Sequence, residues 1–192
     1  MKLHGSAWTF TQEDISTDLI RAKAWSHLSP KEQGAHCLEE VDPAFAAQAQ
    51  PGDFIVAGKN FGCGSSTAAH VAVIGLGIGA VIAESIGKLF ITNAASAGLW
   101  AVSCPGIIAF ARAGDKLELD TAAWQVRNLA TGASIAANPM PGFLCEMIEL
   151  GGEKNYLRAR LAREAAAFRR RPRPPMQSRC KKDPSEYSYR PP

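Results

Sequence analysis

The chain has 192 residues and a formal net charge of +3, and 46% of its residues are hydrophobic. This length suits one domain with a well-buried core. No apolar run reaches the length of a transmembrane helix, and Met1 to His4 lack the layout of a signal peptide. A cytoplasmic protein without a membrane partner is therefore expected.

The early part of the chain predicts one strand, one polar loop and one helix. Leu3 to Phe10 alternates apolar and polar residues as a strand does. Residues 12–20 form a polar loop that ends in two aliphatic residues. Ser29 as N-cap, Pro30 in the first turn and Glu32 as capping partner predict a helix that runs to about Glu40.

The middle of the chain alternates strands with helices over short connections, which is typical of parallel strands with crossover helices. The sequence predicts, in order, a strand at Phe54–Ala57, a helix at Ser66–Leu76, a strand at Ala80–Ala83, a helix at Ile86–Ala97 that stops at Gly98, and a strand at Leu99–Val102.

Beyond Asp115 the pattern changes to short strands with a turn at Thr131-Gly132, which favours antiparallel pairing. The predicted elements are strands at Lys116–Asp120, Trp124–Asn128 and Ala133–Ala136 and helices at Phe143–Leu150 and Glu153–Phe168. The fold class is α/β, with a parallel βαβαβ core and an appended antiparallel section.

The charge is distributed unevenly along the chain. Residues 1–150 carry 9 Lys and Arg against 14 Asp and Glu, whereas residues 151–192 carry 12 against 4. We predict one domain over residues 1–168 and a basic, proline-rich, disordered tail over residues 169–192. A nucleic-acid-binding arm is an alternative, but a solvated extension is favoured over it.

The cysteines are odd in number and scattered, and no two form a Cys-x-x-Cys pair. They are Cys37, Cys63, Cys104, Cys145 and Cys180. This pattern argues against a disulfide framework and against a zinc or iron–sulfur site built from this chain alone. We predict no metal ligand in the chain.

The segment from Gly58 to Thr67 is the most informative one. Three glycines follow the Phe54–Ala57 strand within seven residues, and a pair of serines comes next. Such a turn leaves room for a ligand near the backbone, and the N–H groups of a helix that starts there suit an anion. The serines either cap that helix or take part in chemistry.

The segment Gly58-Lys59-Asn60-Phe61-Gly62-Cys63-Gly64-Ser65-Ser66 resembles the small-subunit family of 3-isopropylmalate dehydratase, a swivelling β/β/α domain of the aconitase superfamily. Three further stretches match the family in order, and the resemblance covers about residues 3–165. They are Ser16-Thr17-Asp18-Leu19-Ile20, Val81-Ile82-Ala83-Glu84-Ser85, and Phe90–Asn93 with Gly98-Leu99.

This resemblance implies a hydro-lyase of leucine biosynthesis that is active only as a heterodimer. A large subunit would carry a [4Fe–4S] cluster, whose open iron binds the hydroxy-carboxylic acid substrate and removes its hydroxyl. The small subunit would supply Ser65 as the base that takes the proton from the carbon beside a carboxylate. Ser66 would cap the following helix.

The chain departs from the family directly after the two serines. The family has an arginine there, which grips a substrate carboxylate in a fork; here the residue is Thr67. Arg21 or Lys23, in the loop after Asp18, is a candidate for the missing cation. The change leaves open a different hydroxy acid as substrate, or a non-catalytic partner or regulatory subunit. The predicted substrate-binding residues are Ser66, Thr67, Gly64, Asn60, Asp18, Arg21 and Lys23.

Overall fold

The computed structural model describes residues 1–64 and 67–170, with only the backbone of Arg170. In this part of the chain seven strands form one sheet in the order β4-β3-β2-β1-β5-β6-β7. The strands are β1 (Lys2–Phe10), β2 (Phe54–Ala57), β3 (Ala80–Ala83), β4 (Trp100–Ser103), β5 (Lys116–Asp120), β6 (Gln125–Asn128) and β7 (Ser134–Ala136).

The helices are mostly short. They are α1 (Thr17–Ile20), α2 (Pro30–Gly34), α3 (Phe45–Gln48), α4 (His70–Gly75), α5 (Lys88–Ser96), α6 (Ile107–Phe110), α7 (Gly142–Glu149) and α8 (Glu153–Arg170), with a 3-10 helix at Lys23–Trp25.

Strand β1 joins the two halves of the sheet. Its second half pairs in parallel with β2, with Ala7 opposite Phe54 and Phe10 opposite Ala57. Its first half pairs antiparallel with β5, with Lys2 opposite Asp120. Strands β1 to β4 are parallel and β5 to β7 antiparallel, so the predicted α/β architecture with two sections is confirmed.

Two apolar clusters cover the two faces of the parallel strands. Because side chains alternate along a strand, Ile55 and Ala57 belong to one cluster and Phe54 and Val56 to the other. Both faces are buried, which explains why β2 and β3 are continuous apolar runs. The first cluster packs under α4 and α5, and the second includes residues of α6 and α7.

The predicted helix at Ser29 starts correctly and ends early. Ser29 and Glu32 form the expected capping box, but α2 ends at Gly34 instead of about Glu40. Leu38 has a φ of 56°, which no right-handed helix accommodates. The sequence analysis also missed α1, α3 and α6, each of only four residues, a length that gives no periodicity to detect.

The C-terminal helix α8 starts at Glu153, as predicted, and extends to Arg170. Residues 1–158 form one compact unit, and the second unit starts at Ala159. The predicted tail lies outside the described residues from residue 171 onward, so its disorder and the predicted division after residue 168 remain predictions. None of the helices in the described ranges is both long and apolar enough to cross a membrane.

Candidate functional site

The turn after β2 depends on glycines at two positions. Gly62 has a φ of +71°, and a Cβ added to it would lie 2.5 Å from Cγ of Phe90. Gly64 has a φ of +91°, and its Cβ would lie 3.2 Å from Oγ1 of the buried Thr17. The backbone therefore folds between α5 on one side and α1 on the other, where a side chain would not fit.

Helix α1 is bonded directly to this turn. The backbone N–H of Gly62 donates to the Ile15 carbonyl at 2.7 Å, and that of Thr17 donates to the Cys63 carbonyl at 2.8 Å. The hydroxyl of Ser16 accepts from the Leu19 N–H at 3.2 Å and so caps α1. The loop of residues 12–20 is thereby held next to the glycine turn.

Asp18 and Thr67, two predicted site residues, meet beyond the serine pair. The Thr67 hydroxyl donates to Oδ1 of Asp18 at 3.0 Å, and Asp18 is exposed. Thr67 therefore has the hydrogen bond expected of its hydroxyl but no positive charge. Ser65 and Ser66 lie outside the described residues, but Gly64 and Thr67 on either side of them both face α1.

The helix after the serine pair differs from the prediction. It was expected to start at Ser66, but α4 starts at His70, with Ala69 as N-cap and no side-chain cap. The predicted helix start at Ser66 is therefore wrong, and among the described residues no helix begins at Thr67 to form the expected anion site. The predicted capping by Ser66 falls on a residue outside the described ranges. Thr67 and Ala68 precede the helix without regular secondary structure, and the Thr67 hydroxyl bonds to Asp18.

Asn60 has its amide engaged within the protein. Its φ is 59°, its Nδ2 donates to Oδ1 of Asp14 at 2.7 Å, and its backbone N–H donates to Oγ of Ser85 at 2.8 Å. These bonds hold the loop before α1 against the turn. A role of Asn60 in substrate binding stays a prediction.

Cys63 is a neutral thiol in this turn. Burial, and then the negative Asp14 nearby, raise the pKa of Cys63 above its ordinary value, and its Sγ lies 3.6 Å from the Asp14 carbonyl oxygen. An iron–sulfur cluster needs several thiolates at one place, and within the described residues Cys63 belongs to no such group.

Cys37 and Cys104 are buried free thiols. Burial raises the pKa of Cys37 to about 12 and that of Cys104 to about 11. Over residues 1–64 and 67–170 no group of three His, Cys, Asp or Glu side chains is arranged to hold a metal ion. The described residues therefore do not fit a [4Fe–4S] cluster.

Arg21 lies at the end of α1 and is buried, with only 5% of its surface exposed. Its Nη1 donates to Oε1 of Gln33 at 2.9 Å, and Nε2 of Gln33 donates to the Leu28 carbonyl at 2.7 Å. The Nε of Arg21 has no hydrogen-bond partner within the described ranges. Thus one edge of the guanidinium is fixed and the other is unbound.

His70, the first residue of α4, lies in the electrostatic range of Arg21. Burial, and then the positive charge of Arg21, lower the pKa of His70 below its ordinary value of 6.5, so the ring is neutral at pH 7. Its Nδ1 is buried and unpartnered among the described residues. The sequence analysis missed Gln33 and His70, which appeared only as members of predicted helices.

Lys23, the other candidate cation, differs from Arg21 in its exposure to solvent. It is exposed in the 3-10 helix Lys23–Trp25. The adjacent Trp25 stacks its indole on the His36 ring, with the ring centroids 3.9 Å apart, and donates from Nε1 to Glu39. The structure thus buries Arg21 and exposes Lys23, which the sequence had left as equal alternatives.

Comparison with known proteins identifies the family of this chain. Residues 9–106 match the model of the aconitase C-terminal domain. The 3-isopropylmalate dehydratase small subunit of Thermodesulfovibrio yellowstonii is 39% identical over 166 residues, which cover 85% of this chain and 98% of that protein. The 2,3-dimethylmalate dehydratase small subunit of Eubacterium barkeri is 35% identical, over 83% of this chain and 98% of that protein.

A solved structure agrees with the sequence matches. The crystal structure of a 3-isopropylmalate dehydratase from Methanocaldococcus jannaschii superimposes with a TM-score of 0.80 at 32% identity, covering 87% of this chain and 99% of the other. Fold, sequence and the glycine turn point the same way. The chain belongs to the small-subunit family of 3-isopropylmalate dehydratase, within the aconitase superfamily.

Proposed function

We propose that this chain is the small subunit of a two-subunit hydro-lyase that dehydrates or isomerises a hydroxy-carboxylic acid resembling 3-isopropylmalate. Its relatives carry names of dehydratase and isomerase small subunits, with isopropylmalate, citramalate and dimethylmalate among the acids in those names. A large subunit is its partner, and the reaction is completed only in the complex.

Ser65 is the proposed base. The observation that supports this assignment is that α1 is hydrogen-bonded to the residues on both sides of the serine pair. Thr17 bonds to Cys63 before the serines, and Asp18 bonds to Thr67 after them. A base must be held within reach of the proton it removes. The described residues on both sides of Ser65 and Ser66 are thus bonded to one short helix.

The cluster belongs to the large subunit in this proposal, because the described residues of this chain do not suit its ligation. It would supply a Lewis acid for loss of the substrate hydroxyl. The work of this chain is to accept a proton at Ser65 Oγ, to bind the acid through residues around the turn, and to exclude water. Gly64, Asn60, Ser66 and Asp18 remain proposed binding residues, and Lys23 a proposed contact at the surface.

The test is turnover of the complex assembled from both purified subunits. Ser65→Ala should lower kcat by about 10²- to 10⁴-fold, the range for loss of a general base, with little change in KM. Ser134→Ala, on the exposed strand β7, is the control and should retain activity. Near-normal turnover by Ser65→Ala would remove the base assignment.

Thr67 supports a second candidate function, that of a divergent or non-catalytic partner subunit. With its hydroxyl committed to Asp18, this position has lost the family's carboxylate-binding cation, as expected for a divergent or non-catalytic partner subunit. That alternative predicts a stable complex with the large subunit but no turnover of any malate- or citrate-like acid. Measurable turnover of one such acid would exclude it.

A further inference from the structure

We propose that Arg21 binds a carboxylate of the substrate, and that this chain has moved its carboxylate-binding cation from the position of Thr67 to the end of α1. The inference rests on the proposed function and assigns the residue that holds the second carboxylate of its diacid substrate. One carboxylate lies beside the carbon that loses its proton, and the other is held by Arg21.

The first argument is the state of the guanidinium. Arg21 is 5% exposed, and it forms no ion pair with any residue in the described ranges. A buried charge is expensive unless it is paired and hydrogen-bonded. An arginine without a carboxylate partner therefore indicates an anion that binds from outside.

The second argument is orientation. Gln33 holds Nη1 at 2.9 Å and is itself fixed by its bond to the Leu28 carbonyl. The unbound Nε is on the opposite edge, where Nε–H and a terminal N–H together form the fork that matches two carboxylate oxygens. Gln33 is thus a positioning residue, and the carboxylate site is the Nε edge.

The third argument is location. Arg21 ends the same short helix whose Thr17 bonds to Cys63 and whose Asp18 bonds to Thr67. His70, three residues after Thr67, interacts electrostatically with Arg21 and has an unpartnered, buried Nδ1. Within the described residues, polar atoms without partners therefore occur both at the end of α1 and at the start of α4, and the two groups interact electrostatically.

The experiment compares variants in the assembled two-subunit enzyme. Arg21→Gln should raise KM for the diacid about 10- to 100-fold, the loss expected for a charge-assisted hydrogen bond, with a smaller change in kcat. Arg21→Lys should be intermediate, because an ammonium keeps the charge and loses the fork. Lys31→Gln, an exposed cation on α2, is the matched control and should behave as wild type.

One further substrate and one further variant distinguish binding from a structural role. The mono-amide of the diacid, which lacks the second negative charge, should be converted equally poorly by wild type and Arg21→Gln. Adding Thr67→Arg to Arg21→Gln should restore much of the affinity, because it returns a cation to the family position. Equal KM values for Arg21→Gln and wild type would overturn the proposal.

A carboxylate side chain of the large subunit is chemically equivalent to a substrate carboxylate. In that case Arg21→Gln would weaken subunit association and leave KM unchanged, which overturns the substrate assignment. If the wild-type complex turns over no acid, the proposed function fails, and Arg21 is then tested by malate binding without turnover. In that test malate must raise the thermal unfolding midpoint of the wild-type chain more than that of Arg21→Gln. An equal rise in both overturns the proposal.

Discussion

Two buried charged side chains, Asp53 before strand β2 and Arg21 next to the turn after it, differ in how many hydrogen bonds they make. At the amino end Asp53 is buried and accepts hydrogen bonds from the backbone N–H of Gln50 at 2.9 Å, that of Ser6 at 3.3 Å and Nε1 of Trp8 at 3.0 Å. At the carboxyl end Arg21 has a single hydrogen bond from its side chain, to Gln33, within the described residues.

The glycines differ in the same way. Gly52, next to Asp53, has a φ of +91° and open space around the position of a Cβ, whereas a Cβ added to Gly62, with its φ of +71°, would lie 2.5 Å from Cγ of Phe90. Strain and unsatisfied polar groups concentrate where function requires them. In parallel sheets ligands bind outside the carboxyl ends of the strands. The hydrogen bonds at the amino end of β2 therefore indicate a stabilising role, and the carboxyl end is where we propose that the ligand binds.

The largest expected effect comes from the two glycines. Gly62→Ala adds a left-handed non-glycine residue and a clash with Phe90, so it should lower the free energy of unfolding by about 2–5 kcal/mol. Gly52→Ala has the backbone strain alone and should cost about 1–2 kcal/mol. Urea denaturation of both variants measures the difference. Equal losses would show that the turn tolerates a side chain.

Asp53→Asn should destabilise the chain by about 1–3 kcal/mol at pH 7, because an amide NH₂ would face N–H donors. Burial acts to raise the pKa of Asp53, but hydrogen bonds from Gln50, Trp8 and Ser6 outweigh it, so the pKa lies below its ordinary 3.8. The stability from this carboxylate is present above pH 3.8 and is lost as pH falls through the folded pKa.

Urea denaturation at a series of pH values tests this prediction. The difference between wild type and Asp53→Asn should shrink below pH 3.8, the ordinary pKa of Asp53. Asp42→Asn, which removes charge from a carboxylate bonded to only one backbone N–H, should stay within about 0.5 kcal/mol of wild type. A difference for Asp53→Asn that persists unchanged in acid would contradict the role of its charge.

The sequence predicted the architecture well because apolar runs and glycine stops mark strands and long helices locally. Strand β3 (Ala80–Ala83) was predicted to the residue. The site was harder, since it depends on contacts between distant segments. Nothing local shows that Thr67 bonds to Asp18 or that Gln33 holds Arg21, and the start of α4 at His70, with Ala69 as N-cap and no side-chain cap, has no local signal either.

Arg21→Met tests the carboxyl end of β2 through stability. Its guanidinium is buried without a carboxylate among the described residues, so removing the charge relieves a desolvation cost that offsets the lost bond to Gln33. The free energy of unfolding of the chain alone should stay within about 1 kcal/mol of wild type. A loss above about 2 kcal/mol, as large as that of Asp53→Asn, would make Arg21 a structural residue.

The smallest effect concerns His70. Because burial and then Arg21 lower its pKa below 6.5, the unfolded chain binds the proton more readily than the folded chain. Stability from this residue is therefore complete above pH 6.5 and declines as pH falls from 6.5 towards the folded pKa.

His70→Asn should show a flatter pH dependence of unfolding than wild type in that window. Since the repulsion comes partly from Arg21, Arg21→Met should also reduce the slope, which tests the interaction of Arg21 with His70 in one measurement. Equal slopes in wild type and both variants would separate His70 from Arg21 and return its ring to an ordinary packed histidine.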